Sequence, residues 1–231
     1  RDKAMDSHIG AAGVQPGAIW INKTGRRFAN EGTAENIGDI GPLYGKQPDG
    51  IVWSVLDQAN IDRLAENGSE ISIGEFVVFG RPLDRLRMEL DQDVADGVAF
   101  AANTPEELAE KIGVSPENFA ATVAAYNEAC AAGDDKEFFK QEKYLRPLSI
   151  PPFYAVALAT GTMGSAGGIR INGNMQVVDK DYEPIPGLYA VGLDATGLYG
   201  DSYNMEVPAA ANGFAHTSGR IAGRHFAAQQ A

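Results

Sequence analysis

The stretch of sequence that decides the fold is PIPGLYAVG at residues 184–192, a short apolar run between a proline-rich turn and a glycine. An apolar run of this length predicts a buried strand, which we place at 188–191. Two glycine-containing segments flank it in the chain, GGIRI at 167–171 and GRIAG at 219–223. The later segment lies within a predicted final helix over 208–228. Together the three segments predict strands that lead into one long helix.

The residues before this region predict further sheet. Residues 169–171 and 175–178 flank the turn Asn172-Gly173-Asn174 and predict a hairpin. FYAVAL at 153–158 predicts another strand. We place a domain boundary near residue 148, where this strand-rich and glycine-rich part begins.

The middle of the chain is predicted to be mainly helical. Residues 104–107, Thr-Pro-Glu-Glu, form a capping box with proline at the first helical position, and Gly113 ends that helix. Ser115 begins a second helix with an apolar face. We expect Cys130 to lie on that face as a buried, unreactive thiol. The charged residues 134–143 are expected to form a solvated connector.

The first part of the chain gives weaker signals. Residues 18–22 and 27–29 predict two short strands around a glycine turn. The glycine-rich and proline-rich residues 30–50 predict a loop. Residues 51–56 predict a strand, and a short helix is expected over 58–66.

Composition excludes several classes of partner. The chain has 231 residues, a net charge of −12 and 44% hydrophobic residues, which is typical of a globular protein. The negative charge argues against nucleic acid as a partner. Cys130 is the only cysteine and the three histidines show no ligand spacing, so we predict no metal site. No apolar run approaches the ~20 residues of a membrane span.

The glycine-containing segments 167–171, 184–192 and 219–223, in this order and spacing, resemble the C-terminal FAD-binding segment of the fumarate reductase and succinate dehydrogenase flavoprotein superfamily. That superfamily includes 3-ketosteroid dehydrogenases. GRRFANE at 25–31 resembles the superfamily's Gly-x-Arg-Phe-x-Asn-Glu segment at the entry to its capping domain. The resemblance spans roughly residues 15–228 and implies an α/β fold with an α+β capping domain.

The resemblance implies three parts in this chain: residues 1–45 and 149–231 from the FAD-binding domain, and a substrate-capping domain at 46–148. No Gly-x-Gly-x-x-Gly follows a predicted strand, so the family's N-terminal dinucleotide-binding βαβ unit is expected to be missing. We therefore expect the N-terminal FAD-binding portion of the same protein as a partner. The isolated chain is expected to bind FAD weakly or not at all.

The resemblance also implies FAD as the cofactor. A reduced flavin carries negative charge on one edge of its ring, and a helix N-terminus stabilises such charge. VPAAANG at 207–213 predicts a helix start with small side chains. The helix glycines 213, 219 and 223 predict close packing against cofactor or sheet, because glycine is otherwise unfavourable there. The predicted cofactor-binding residues are Gly167, Gly168, Gly192, Asp194, Glu206, Pro208, Ala209, Ala210 and Ala211.

Asp194 stands one position from a family glutamate that binds the ribityl chain of FAD, and its side chain is shorter. It could equally cap the following turn.

The sequence departs from the dicarboxylate reductases at their substrate site. MGSAGG at 163–168 replaces a family segment with two histidines, and GDSYNME at 200–206 lacks the family's arginine. The family's general-acid arginine aligns with Ile61, and Arg63 is expected on another helix face. Without these partners the burial of two carboxylates is prohibitive, so fumarate is not the expected substrate.

Four residues are candidates for catalysis: Tyr203, Tyr199, Glu31 and Arg63. Glu31 matches a family carboxylate that feeds protons towards the site, although the basic residue that follows it in the family is replaced. A phenol can exchange a proton at a carbon beside the hydride site, as tyrosines do in the ketosteroid branch. Alternatively, both tyrosines line an apolar wall or pack on the flavin.

Two functions remain open on this sequence. The first is a flavin-dependent oxidoreductase that transfers a hydride between FAD and a C=C or CH–CH unit of a small organic substrate. The second is a non-catalytic binding or assembly module derived from a flavoprotein.

Overall fold

The computed structural model describes residues 7–72, 78–161, 167–196, 199–200, 202–203, 207 and 209–230, without the side chain of residue 196. The chain divides into two compact units, Arg1–Thr160 and Gly161–Ala231, called unit 1 and unit 2 below. The helices of unit 1 are α1 His8–Gly13, α2 Ile37–Gly45, α3 Gln58–Asn67, α4 Leu86–Ala95, α5 Pro105–Ile112 and α6 Pro116–Ala132. Its strands are β1 Ile19–Asn22, β2 Val52–Asp57, β3 Ala99–Ala102 and β4 Phe153–Leu158.

A four-stranded antiparallel sheet in the order β1-β2-β4-β3 organises unit 1. Successive side chains of a strand point to opposite faces. Trp20 accordingly packs into a core with α1, α3 and α4, and its neighbours Ile19 and Ile21 pack into a second core with α5 and α6. Because apolar residues cover both faces, β1 is an uninterrupted apolar run, not an alternating one.

The starts and ends predicted for the two helices in the middle of the chain are confirmed. The Thr104 hydroxyl accepts from the Glu107 N–H at 3.1 Å, and Gly113 ends α5 in the left-handed conformation. Ser115 caps α6 in the same way through the Asn118 N–H, and Gly133 ends it. The strand and helix expected over 51–66 are also present, as β2 and α3.

Residues 30–50, expected to be a loop, are largely helical. They hold 3₁₀ turns at Glu31–Glu35 and Pro48–Gly50 with α2 between them. Glycine and proline lower helix propensity, but tertiary burial overrides that preference. Tyr44 of α2 is buried, with its ring edge-on to Trp20 at 5.2 Å.

Unit 2 contains strands β5 Ile169–Arg170, β6 Gln176–Val178, β7 Pro184–Tyr189 and β8 Ala195–Thr196, a 3₁₀ turn at Gly192–Asp194, and helix α7 Ala210–Gln229. The hairpin expected between 169–171 and 175–178 is reduced to one bridge, Ile171 with Val177. Instead β5 pairs in parallel with β8, and β6 pairs antiparallel with β7. The turn sequence Asn172-Gly173-Asn174 predicted the change of chain direction, but it did not predict that β5 pairs with the distant strand β8.

The two units divide after Thr160, whereas we expected a boundary near residue 148. β4 pairs with β2 on one side and β3 on the other, so it belongs to the sheet of unit 1. The finer division into residues 1–45, 46–148 and 149–231 stays a prediction. No helix among the described residues is long and apolar enough to cross a membrane.

Candidate functional site

In unit 2, Gly168 lies directly against the turn that carries Asp194. A Cβ added at Gly168 would sit 2.5 Å from the Asp194 carbonyl oxygen, so only glycine fits. This contact allows β5 and β8 to pair, and it brings two of the predicted cofactor residues together. The Asp194 side chain itself is exposed.

Gly192 connects the same turn to helix α7. Its backbone is left-handed, with φ 62°, and its N–H donates to the Ser218 hydroxyl at 3.0 Å. Both Gly192 and Ser218 are buried. The turn at 192–194 is therefore held at a fixed position relative to α7.

The start of α7 consists of alanines only. Ala209 precedes the helix in the left-handed conformation, with φ 59°, and offers no side-chain acceptor to the first N–H groups. Ala210 and Ala211 are half-buried. The small side chains leave the positive pole of the helix uncovered, although the Ala210 N–H donates to the Val207 carbonyl at 3.2 Å and the Ala211 N–H donates to the Tyr203 hydroxyl. The predicted residues Glu206 and Pro208 lie outside the described part of the chain.

Tyr199 and Tyr203 contact each other beside this helix start. Their ring centroids are 4.9 Å apart at 46°, and the Tyr203 hydroxyl accepts from the Ala211 N–H at 3.1 Å. The Tyr199 hydroxyl is buried without a hydrogen-bond partner among the described residues. Burial and the neighbouring Tyr203 phenol raise the pKa of Tyr199 above its usual value.

The helix glycines do not pack as expected against a sheet of this chain. A Cβ added at Gly213, Gly219 or Gly223 would meet nothing within 4 Å among the described residues, and all three glycines are exposed. No sheet among the described residues packs against these glycines. Packing of these glycines against cofactor stays a prediction.

In unit 1, Glu31 lies inside a buried ionic cluster. Arg27 donates to both carboxylate oxygens of Glu31, at 3.0 and 2.8 Å, and to Asp135 at 2.9 Å. Lys140 lies 3.2 Å from Glu31. All four residues are buried, and we call them the buried tetrad. Two positive and two negative charges make it neutral, which satisfies the requirement that buried charges be paired.

The buried tetrad holds its acids ionised. Burial alone would raise the pKa of Glu31, but the charge of Lys140 and the hydrogen bonds from Arg27 lower it below its usual value. Burial would likewise raise the pKa of Asp135, and the hydrogen bond from Arg27 lowers it. Glu31 also accepts from the Trp20 N–H at 3.0 Å. These contacts favour a stabilising role for Glu31, and its proposed proton transfer stays a prediction.

The expectation that residues 134–143 form a solvated connector is wrong for Asp135 and Lys140, although most of the segment is exposed. Asp135 and Lys140 come from this segment, and Phe138 packs against the Arg27 guanidinium at 5.0 Å. Lys140 also donates to the Ala18 carbonyl at 2.8 Å. Phe138 was the local signal for contact with the protein, whereas the adjacent Phe139 is exposed. The charge partners lie more than 100 residues earlier, so no local pattern shows them.

Arg63 and Ile61 lie on different faces of α3, as predicted. Ile61 is buried in the core, whereas Arg63 lines a cleft of about 830 Å³ in unit 1. Arg63 pairs with Glu70 at 3.1 Å, and burial lowers its pKa. Arg146 pairs with the same Glu70 oxygen at 3.3 Å. Sequence reasoning missed Glu70 and Arg146, which no motif marks.

Cys130 is only partly buried, contrary to expectation, but it packs against the core between the sheet and α6. Burial raises the pKa of its thiol, which keeps it protonated and unreactive. Within the described residues no group of three or more His, Cys, Asp or Glu could hold a metal ion.

Unit 2 fits a flavin cofactor on two observations: the small side chains at the start of α7, and the Tyr199 hydroxyl without a partner among the described residues. The FAD binding domain family model matches residues 4–206, and the chain belongs to that family, within the FAD-dependent fumarate reductase and succinate dehydrogenase flavoprotein superfamily. The cofactor of the family is FAD, which confirms the cofactor predicted from the sequence.

Among curated proteins, the chain is 38% identical over 220 residues to vinyl phenol reductase of Lactiplantibacillus plantarum, covering 94% of this chain and 44% of that protein. It is 30% identical to 3-oxosteroid 1-dehydrogenase of Mycolicibacterium smegmatis, covering 94% of this chain and 39% of the relative. The chain thus spans less than half the length of these relatives.

Among solved structures, 3-ketosteroid Δ1-dehydrogenase of Sterolibacterium denitrificans superposes with a TM-score of 0.70 at 25% identity, covering 95% of this chain and 40% of that one. A flavocytochrome c3 fumarate reductase matches with a TM-score of 0.53 at 27% identity, covering 93% of this chain and 32% of that one.

Proposed function

We propose that the complete protein is an FAD-dependent oxidoreductase that transfers a hydride between flavin and a C=C or CH–CH unit of a small organic substrate other than fumarate. The observation that carries this proposal is the alanine-only start of α7 with the Tyr203 hydroxyl bound to it. FAD, when bound, supplies the group that accepts or donates the hydride.

The residues of unit 2 have distinct roles in this proposal. The small side chains of Ala209, Ala210 and Ala211 let the start of α7 approach the flavin ring, where the helix dipole stabilises negative charge, and the Ala211 N–H acts through the Tyr203 hydroxyl that accepts it. Gly168 and Gly192 fix the turn that carries Asp194 towards the cofactor. Gly167, Glu206 and Pro208 complete the proposed set of cofactor-binding residues.

Tyr203 and Tyr199 are the proposed proton donors. The Tyr203 hydroxyl accepts the Ala211 N–H and keeps its own proton free to donate. Tyr199 places a second phenol beside it, with the two ring centroids 4.9 Å apart. Arg63 and Glu31 are further candidates, and Glu31 acts through the buried tetrad.

The proposed substrate is a small alkene without two carboxylates. The histidines and the arginine of the dicarboxylate reductases are replaced in 163–168 and 200–206. A vinyl phenol, named as the substrate of the relative with 38% identity, fits this description. Its neutral vinyl group needs no cationic partner.

The proposed partner is the N-terminal FAD-binding portion of the same protein. Unit 2 leaves many apolar side chains open to solvent, and Ile169 and Leu188 are 50% and 47% exposed. Among the described residues of unit 2, the core cluster of buried residues consists of Val177, Ala190 and Ala195. So small a core favours further polypeptide packing on this unit.

The test is to purify the complete protein and mix its reduced flavin with substrates under anaerobic conditions. We expect a yellow protein whose flavin is oxidised by 4-vinylphenol and not by fumarate. A Tyr203→Phe variant should keep its flavin and lose at least tenfold in oxidation rate, since general-acid catalysis contributes about 10²–10⁴-fold. A colourless protein that takes up no FAD refutes the proposal. Bound flavin that no substrate oxidises favours the non-catalytic module.

A further inference from the structure

The one buried residue of helix α7 is polar. The structure describes every residue of Ala210–Gln229, and Ser218 is the one among them that is buried. The buried face of a helix is usually apolar, because a buried hydroxyl group must find hydrogen-bond partners. Ser218 is 0% exposed, so its hydroxyl group serves a contact inside unit 2.

The Ser218 hydroxyl makes two hydrogen bonds whose directions are fixed. It donates its proton to the Ala215 carbonyl, three residues earlier in α7, at 3.2 Å. Its oxygen accepts the Gly192 N–H at 3.0 Å. Because the proton is engaged by the helix itself, the lone pairs of the oxygen serve the turn Gly192–Asp194. Ser218 therefore joins α7 to this turn.

The turn is held on two sides by backbone contacts, although its side chains stay exposed. A Cβ at Gly192 would lie 3.6 Å from the Ala215 side chain, and a Cβ at Gly168 would lie 2.5 Å from the Asp194 carbonyl oxygen. The side chains of Leu193 and Asp194 are nevertheless exposed. A turn that is fixed through its backbone can present these side chains in one orientation.

The hydrogen bond of Ser218 relates two elements that the proposed function assigns to FAD, the turn with Asp194 and the start of α7. Ser218 lies about two helical turns after Ala210. Since α7 is continuous between these residues, fixing Ser218 against the turn also fixes the start of the helix. The effect of a helix dipole falls off within the terminal turn, so this spacing matters to a group at the helix start.

We propose that Ser218 is a positioning residue for FAD, which holds the turn Gly192–Asp194 and the start of α7 at the one spacing that the cofactor requires. Ser218 acts through the Gly192 N–H. This inference rests on the function proposed above. It deepens that function, because it names the residue that sets the geometry of the two FAD-contacting elements.

The experiment compares the complete protein with its Ser218→Ala variant. We expect the variant to bind FAD about tenfold more weakly, because the buried Gly192 N–H loses its acceptor. At saturating FAD, the midpoint potential of the bound flavin should fall, because the start of α7 stabilises the charge of the reduced flavin less well. Hydrogen exchange of the peptide that contains Gly192, measured by mass spectrometry, should become faster. A residue that only stabilises the fold would leave the midpoint potential unchanged.

The matched control is Thr217→Ala, which removes an exposed hydroxyl group from the preceding position of the same helix. It should change neither the FAD affinity nor the midpoint potential. If Ser218→Ala does not fold, Ser218→Cys takes its place, since a thiol is a weaker acceptor of similar size. An unchanged FAD affinity or an unchanged midpoint potential in the Ser218 variant, or equal changes in Thr217→Ala, overturns the inference.

These measurements use no alkene substrate, so they separate the inference from the proposed function. If 4-vinylphenol oxidises the flavin but the Ser218 variant is unchanged, the inference alone is wrong. If FAD affinity and potential depend on Ser218 but no alkene oxidises the flavin, the inference holds and the proposed function is wrong. A complete protein that takes up no FAD overturns both.

Discussion

At the residue scale, the buried tetrad shows how the fold uses charges that appear solvated in the sequence. Arg27 and Glu31 are four residues apart, but Asp135 and Lys140 reach them from a distant segment. Each charge is expensive to bury alone and is tolerated only because the other three are present. The cluster therefore buries Asp135 and Lys140, while most other residues of the 134–143 segment are exposed.

We predict that Lys140→Met destabilises the chain by about 3–5 kcal/mol, because it leaves the acids of the tetrad in excess in a buried site. The measurement is the free energy of unfolding in urea. Adding Glu31→Gln restores neutrality, so the double variant should lose less than the sum of the single losses. Lys143→Met, at an exposed position three residues on, is the control and should change stability little. If the free-energy losses of the two single variants simply add in the double variant, Lys140 and Glu31 are not coupled and the prediction is wrong.

At the element scale, α7 combines a long helix with glycines that have no neighbours among the described residues. A glycine in a helix interior costs about 1 kcal/mol relative to alanine. Nothing in the described chain explains that cost at Gly213 and Gly219, since a Cβ at either would meet open space. Contact with cofactor or with further polypeptide gives a reason for both.

We predict that Gly213→Ala and Gly219→Ala have opposite effects in the isolated chain and in the complete protein. In the chain, each should raise helix content and stability by up to about 1 kcal/mol. In the complete protein, each should weaken FAD binding, measured by fluorescence of released flavin. Ala227→Gly, near the end of α7, is the control and should lower helix content in the chain only. If FAD affinity is unchanged in both glycine variants, the prediction is wrong and these glycines have no role in binding the cofactor.

At the scale of the whole molecule, the position of β4 decides where the chain divides. β4 registers with β2 from Phe153 to Leu158 and with β3 from Phe153 to Val156. Unit 1 has two extensive apolar cores, whereas unit 2 has one small cluster. Since burial of apolar surface is the main favourable term in folding, unit 1 should fold by itself.

We predict that a fragment ending at Thr160 unfolds cooperatively in urea, whereas a fragment ending at Leu148 does not fold, because it lacks the strand that joins β2 to β3. Residues 161–231 alone should also lack a cooperative transition. Circular dichroism and urea titration of the three fragments measure this. A cooperative transition of equal stability in the fragment ending at Leu148 would support the earlier boundary.

The sequence by itself determined the family, the cofactor, the capped helices α5 and α6, and the separation of Arg63 from Ile61 on α3. These features depend on residues that are close together in the sequence, because helix caps, helical spacing and glycine segments each span only a few residues. Tertiary structure alone decided the parallel pairing of β5 with β8, the place of β4, the buried tetrad, and the sharing of Glu70 by Arg63 and Arg146. These features join residues that are distant in sequence, and their free energy comes from burial and charge pairing that exist only after the chain has folded.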